Sequence, residues 1–598
     1  MKPKAKTIST GSVQACQNCK NSFTIEPEDF VFYEKMKVPP PTWCPECGMQ
    51  RLMTWRNERS LYHRKDAFGK EIISIFAPEK SLVVYDQKKW WGDMWDPLDY
   101  GMDYDSSRPF FVQFKELFER VPLVALFNKN PVNSEYCNHT EDMKNSYLVF
   151  GSIWDENVLY SKGAIKSKDS QDVLFVDNSE LNYESISCEG CYRLRFSRYC
   201  SSCSDSAFLI DCSGCSNCLG CVNLRNKSYY IFNKPYTKEG FEKKIAEFDF
   251  GSYEGLRRFA EEFRNFAMKL PYRFAHVLNS PGSTGDTLFD CKRCQWCFDA
   301  SNSVEDCKHI INAGYSLKDS YRCYGAGAGE LMYEVIDTGV GTSRVADSVV
   351  IRSGNEVFYS YNCHGSSNIF GSIGLRNKQY CLLNKQYSRE EYESLLPKVV
   401  KHMNDMPYID MQKISYTFGE FFPTELSPFA YNETIAQEYY PLTKEEAIGK
   451  GYGWRDPDEK NYTVTKEPEE LPDNIKDVAD SILKETIRCF HKNKCNEQCN
   501  TAFKVIPQEL EFYRKMSIPL PRTCPNCRHY QRLRQRTAIR LWHRSCQCFG
   551  LKSNNGIYRN QLEHFHKSAS CPNEFETSYA PDRPEIVYCE QCYQTEVV

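Results

Sequence analysis

The side chains best suited to chemistry in this sequence are cysteines at knuckle spacing. Near the N-terminus stand Cys16-x2-Cys19 and Cys44-Pro-Glu-Cys47, and near the C-terminus Cys495-x3-Cys499 and Cys524-Pro-Asn-Cys527. A C-x2-C turn places two thiolates on one side of a tight bend, and two such turns close a tetrahedral shell around zinc. With four sulfur ligands and no open position, each quartet reads as a structural zinc site. In the second quartet the extra residue between Cys495 and Cys499 leaves Cys489 as an alternative ligand. A third site is expected on the strong knuckle Cys589-x2-Cys592. Its partners are open among Cys546, Cys548, Cys571, His564 and His566, with Cys548 and Cys571 preferred. The competing reading, a disulfide scaffold, fits short exported proteins better than a long chain without an export signal.

The two terminal quartets belong to one module used twice. Phe-Tyr33-Glu-Lys-Met36 through Pro39, Pro41 and Cys44 to Cys47 recurs as Phe-Tyr513-Arg-Lys-Met516 through Pro519, Pro521 and Cys524 to Cys527, at a constant offset of 480. This pattern, with C-P-x-C followed by arginine, resembles the small domain described as a probable zinc ribbon. More loosely, the whole chain resembles an uncharacterised family of multi-repeat zinc-ribbon proteins from uncultivated bacteria with small genomes. The resemblance implies a ribbon fold at the ends and no activity.

A basic stretch follows each second knuckle. Arg528, Arg532, Arg534, Arg536, Arg540 and Arg544 stand without an acid among them, beside Tyr530 and Trp542. Arg51, Arg56, Arg59, Arg64 and Lys65 stand at the other end. Arginines interleaved with aromatic rings suit phosphate contact and base stacking. The alternative is that they pair with acids elsewhere, since the chain carries 75 Lys and Arg against 79 Asp and Glu. His63 and His543 are expected to be packed or hydrogen-bonded, not ligands.

The last ribbon has a degenerate copy. Ile75-Phe76-Ala77-Pro78 through Val84-Tyr85-Asp86 follows Ser578-Tyr579-Ala580-Pro581 through Val587-Tyr588-Cys589, with Asp86 and Lys89 where Cys589 and Cys592 stand. Packing by Phe68, Ile72, Ile73, Phe76 and Trp90 is expected to replace the metal.

Between the ends, apolar bursts such as Asn145–Phe150, Asp172–Val176, Asp205–Ile210 and Asp347–Ile351 read as short strands. Their frequent preface, Asp or Asn before Ser, reads as a recurring turn. Leu224-Arg-Asn-Lys227 through Tyr236 recurs at an offset of 151 as Leu375-Arg-Asn-Lys378 through Tyr387, each leading into a helix. The fold expected is mainly β with helical segments: two β-solenoid-like lobes flanked by terminal zinc ribbons, with a sandwich or propeller as alternatives. The expected divisions are 1–65, 66–136 (degenerate ribbon and linker), 137–235 (lobe one), 236–282, 283–386 (lobe two), 387–480, 481–545 and 546–598. Cys188, Cys200 and Cys212, and Cys191, Cys203 and Cys215, repeat every 12 residues. Because lobe two has Ser366, Ile369 and Ser372 where lobe one has Cys215, Cys218 and Cys221, a ladder of buried thiols is preferred to further zinc sites.

No run reaches the 18 apolar residues of a membrane span, and Met1–Ser12 lacks an apolar core, so a cytoplasmic protein without a membrane partner is expected. No nucleophile elbow, H-E-x-x-H, Walker A or deaminase pattern occurs, and Gly325-Ala-Gly-Ala-Gly329 lacks a dinucleotide-loop setting. The function expected is therefore a zinc-stabilised, non-enzymatic scaffold for a protein partner. Nucleic-acid or ribonucleoprotein binding is the alternative, and a β-helix carbohydrate-active enzyme the third reading.

Overall fold

The computed structural model describes residues 11–456 and 462–597. Residues 1–10, 457–461 and 598 lie outside them. The chain is mainly β, with about 21 solenoid turns and twelve α-helices among the described residues. It forms two compact units, each assembled from two distant stretches: Met1–Leu126 with Ala275–Arg455, and Phe127–Phe274 with Asp456–Val598. The N-terminal ribbon thus belongs with lobe two, and the C-terminal ribbons with lobe one.

Each lobe is a parallel β-solenoid. In lobe one, register partners are twelve residues apart, as in Val176↔Cys188 and Leu209↔Cys221. Within a coil the chain turns at every third residue, where φ is positive: Tyr160, Gly163, Lys166, Asp169, Asp172, Phe175 and Asn178 follow one another in this way. A left-handed conformation costs a side-chain-bearing residue roughly 1–2 kcal/mol, least for Asn and Asp. This explains the Asx-Ser preface: Asn145, Asp205 and Asp347 are the left-handed corners, and the Ser that follows points inward and is buried. Four three-residue sides, not long strands, make each twelve-residue turn of lobe one.

The residue after each corner fills the interior. Ser161, Ala164, Ser167, Ser170, Val173, Val176 and Ser179 are all buried, and so are Cys188, Cys191, Cys200, Cys203, Cys212, Cys215, Cys218 and Cys221 farther along. Most of these inward positions carry Ser, Cys, Ala or Val, and larger side chains such as Leu194 and Leu209 enter the same interior singly. Serine and cysteine play the same part there: Ser161 Oγ donates to the Leu159 carbonyl at 2.7 Å, and Cys188 Sγ to that of Ile186 at 3.4 Å. Among the described residues, none of these lobe-one thiols falls in a group suited to a metal ion. Burial pushes the thiols of Cys137 and Cys363 up to about 12, which keeps them protonated and inert. These thiols form the expected ladder.

The duplicated Leu-Arg-Asn-Lys segments end the two lobes alike. Gly214 and Gly365 have positive φ, and a Cβ on either would meet Oδ1 of Asn226 or Asn377 at 2.2 Å, so a side chain there would displace that asparagine. Asn233 then clamps both backbone groups of Val222 at 2.9 Å, and Asn384 those of Ile373 at 2.7 and 2.8 Å. A short antiparallel return strand and a helix follow, Lys238–Ile245 in one lobe and Arg389–Asp405 in the other, the second opened by the expected Ser388/Glu391 capping box. The terminal coil edge is thereby covered.

The crowded interior predicts an asymmetry of substitution. Cys203→Ser is expected to cost less than about 1.5 kcal/mol in urea unfolding and to leave the metal content unchanged, whereas overpacking by Cys203→Leu costs about 1–3 kcal/mol.

Candidate metal centres

Three quartets of thiols assemble, each at the start of a short helix. Cys16, Cys19, Cys44 and Cys47 converge in the N-terminal ribbon; Cys489, Cys499, Cys524 and Cys527 in the second; Cys546, Cys571, Cys589 and Cys592 in the third. Sulfur–sulfur separations are 3.8 Å for Cys19–Cys44, 3.8 Å for Cys489–Cys527, 4.0 Å for Cys499–Cys524 and 3.9 Å for Cys571–Cys589. Metal–sulfur bonds of about 2.3 Å in a tetrahedron give edges of about 3.8 Å, so these quartets fit a metal ion. The helices Pro45–Met53 and Pro525–Leu533 place Pro directly after the third cysteine, where the missing N–H costs nothing. In each site the amide of that third or helix-leading cysteine donates to the first sulfur: Cys44 to Cys16 at 3.2 Å, Cys524 to Cys489 at 3.3 Å, Cys589 to Cys546 at 3.2 Å.

This recurring amide bond explains two differences from the spacing argument. Cys489, not Cys495, completes the second quartet, because it ends the strand Ile487–Arg488 that pairs with Ala502–Phe503 and so occupies the place of Cys16. Cys495 lies 3.8 Å from Cys527, in a neighbouring group with His491 and Glu497. Cys546, not Cys548, joins Cys571 in the third quartet, and Cys548 faces His564. The sequence signal for Cys546 was its place two residues after Arg544, matching Asp66 two residues after Arg64.

That match extends to the degenerate ribbon. Tyr62–Lys65 pairs with Glu71–Ser74 as Trp542–Ser545 pairs with Glu574–Thr577. Arg64 donates to the Ala77 carbonyl at 3.3 Å, Arg544 to that of Ala580 at 3.1 Å. Ser74 and Thr577 hydroxyls both accept the amide two residues on. The positions of Cys546, Cys571, Cys589 and Cys592 are held by Asp66, Phe68, Asp86 and Lys89. Lys89 Nζ lies 3.0 Å from the fully buried Asp66 carboxylate and 3.8 Å from the Phe68 ring centroid, while Asp86 pairs with Lys70 at 3.2 Å. Burial opposes the charge on Asp66, yet its amide and Lys89 partners hold the carboxyl below the usual carboxylate range. Trp90, Phe76 and Ile72 are buried as expected, but Ile73 is only partly buried and Phe68 is half exposed. An ammonium, over a ring and on a carboxylate, stands where the thiolates of the other copy meet.

The arginine stretch is built into the fold at its start. Arg528 and Arg532 are buried. Both reach Asp172, at 3.1 and 2.8 Å; Arg532 also reaches Glu184 at 2.8 Å, and Arg528 reaches Glu509 at 3.3 Å. Burial penalises the Asp172 carboxylate, but the two guanidiniums hold its carboxyl below the ordinary range. Arg534 pairs with Glu497, Arg536 lies over the Phe175 ring at 4.6 Å, and Arg540 over Trp542 at 5.5 Å. Arg528 and Arg532 therefore do not face a nucleic acid; they fasten the ribbon helix to the solenoid corner at Asp172. Unit one repeats the device with Arg51, buried between Glu334 at 2.6 Å and Glu420 at 2.9 Å and lying over Trp43. Among the described residues His63 and His543 join no metal group, and His543 pairs with Glu574 and Glu576.

No family model matches the chain. No curated protein matches it either. Among solved structures, a "putative acetyltransferase" from Desulfovibrio desulfuricans G20 aligns with 49% of this chain and 75% of its own, at 10% identity and a TM-score of 0.09, too slight a likeness to support any argument. Among the described residues, no helix is long and apolar enough to cross a membrane.

Two outcomes follow. Arg532→Ala leaves Glu184 without its guanidinium and Asp172 with Arg528 alone, and is expected to cost about 3–5 kcal/mol in chemical unfolding, whereas Arg534→Ala, which removes an arginine that is itself more than half exposed, is expected to cost less. Replacing Asp66, Phe68, Asp86 and Lys89 together by cysteine is expected to add one metal ion per chain by native mass spectrometry.

Proposed function

We propose that the protein is a zinc-stabilised, non-enzymatic scaffold that binds a protein partner. Four-thiolate quartets with tetrahedral edges suit zinc, whose closed sulfur shell is structural. The ribbon resemblance of both ends supports the same ion. The observation that carries the partner class is the run of exposed apolar side chains on the segment between Cys548 and Cys571: Phe549, Leu551, Ile557, Leu562 and Phe565 are 46–73% exposed. Large apolar groups held outward on one loop suit a protein interface. A phosphate-binding face is less well supported, since Arg528 and Arg532 are buried and Arg534 is paired.

The test compares wild type with a Leu551→Asp/Leu562→Asp variant as bait in cell lysate, each with and without nuclease. The expected result is a protein captured by wild type in both treatments and lost by the variant at unchanged zinc content. Capture abolished by nuclease, or untouched by the two aspartates, would overturn the reading.

A further inference from the structure

The third ribbon carries a feature that the first lacks. Its first two ligands, Cys546 and Cys571, are separated by a long insertion, where Cys16 and Cys19 are separated by two residues. The insertion brings Cys548, His564 and His566 to the far side of Cys592, so that Cys592 belongs to two ligand groups at once. His564 Nδ1 lies 3.6 Å from Cys548 Sγ, and His566 Nε2 lies 3.3 Å from Cys592 Sγ. A tetrahedral ion with sulfur at about 2.3 Å and imidazole nitrogen at about 2.0–2.1 Å gives sulfur–nitrogen edges of about 3.5 Å.

The opposite nitrogens fix which ring atoms face the site. His564 Nε2 lies 3.0 Å from Glu596 Oε1, both side chains being fully buried. His566 Nδ1 lies 2.8 Å from the Ala569 carbonyl oxygen. Carboxylate and carbonyl only accept, so each imidazole donates there and turns a lone pair toward the sulfurs, the orienting contact that metal-bound histidines make. Glu596 is itself fixed by the amides of Gln561 and Leu562, at 2.9 and 3.2 Å, and by the Tyr558 hydroxyl at 2.7 Å. Asn560 donates to Cys548 Sγ at 3.2 Å, as suits a thiolate. One proton on Cys592 cannot serve Cys571, at 3.6 Å, and His566 together; a cation on each side of the sulfur can.

We propose that the third ribbon is a two-zinc centre in which the Cys592 thiolate bridges the ion of the four-thiolate quartet and a second ion held by Cys548, His564 and His566. This rests on the reading of the quartets as zinc sites. The second ion has no open position, so its role is to staple the loop that bears Phe549, Leu551, Ile557, Leu562 and Phe565. The second ribbon has a related group, His491, Cys495 and Glu497 beside Cys527, but there Arg534 already supplies a cation to Glu497.

Zinc per full-length chain is counted by native mass spectrometry for wild type and for His564→Ala/His566→Ala. The expected loss is one ion, with faster hydrogen exchange over 549–565. An unchanged count in a zinc-loaded wild type overturns the bridge and leaves the quartets standing, whereas a wild type without zinc overturns both. Cadmium-113 NMR of the wild type needs no variant. A resonance with imidazole ligands, coupled to a tetrathiolate resonance through their shared sulfur, supports the centre; tetrathiolate signals alone overturn it.

Discussion

A corner at every third residue governs both units. With each side of the coil so short, only one residue in three can point inward, and the neighbouring inward side chains leave it little space. Serine, cysteine, alanine and valine predominate, with leucine, isoleucine or methionine among them, and the hydroxyl or thiol settles on a carbonyl two residues back. The cost is a long series of left-handed residues, offset by the continuous parallel ladder between coils. Everything outside the tube, including the ribbons, docks on a surface whose corners are fixed to within this repeat.

The ribbons exploit those corners. Asp172 is a left-handed corner whose carboxylate meets two arginines of the ribbon helix, and Glu334, also a left-handed corner, meets Arg51 in unit one. Aromatic contacts complete the docking: Phe32 stacks on Tyr321 at 3.9 Å, and Tyr513 meets Tyr183 edge-on at 5.9 Å. Buried ion pairs of this kind contribute less net stability than their short distances suggest, because desolvation offsets the attraction. Their effect is to fix one register of ribbon on solenoid, since a slip of one corner would strand the charges.

The two hairpin copies show a thiol quartet that could hold a metal ion and a lysine–carboxylate pair made from one backbone. The positions of Phe76 and Trp90 are held in the cysteine-bearing copy by Tyr579 and Tyr593, which are buried as well, so the aromatic packing is common to both copies and a bound metal would add its folding energy to it. The exposed side of the last ribbon has the opposite character: more sulfur and imidazole than one ion requires, wired to a loop with apolar side chains outward.

The sequence by itself determined the paired thiols, the duplicated ribbon, the repeat of 12 in the cysteines and the equivalence of the Leu-Arg-Asn-Lys segments, because these are matters of spacing along one chain. It also favoured a thiol ladder in lobe one over further zinc sites, since serine can replace an inward cysteine but cannot replace a ligand. Only the tertiary structure decided that Cys489 and Cys546 enter the quartets, since loops of different length bring different sulfurs to the same amide. It alone decided that the arginines after Cys527 meet Asp172, more than 350 residues away. Charge without a nearby acid in sequence looks free for phosphate; the partner was on the solenoid corner, and only folding could bring it there.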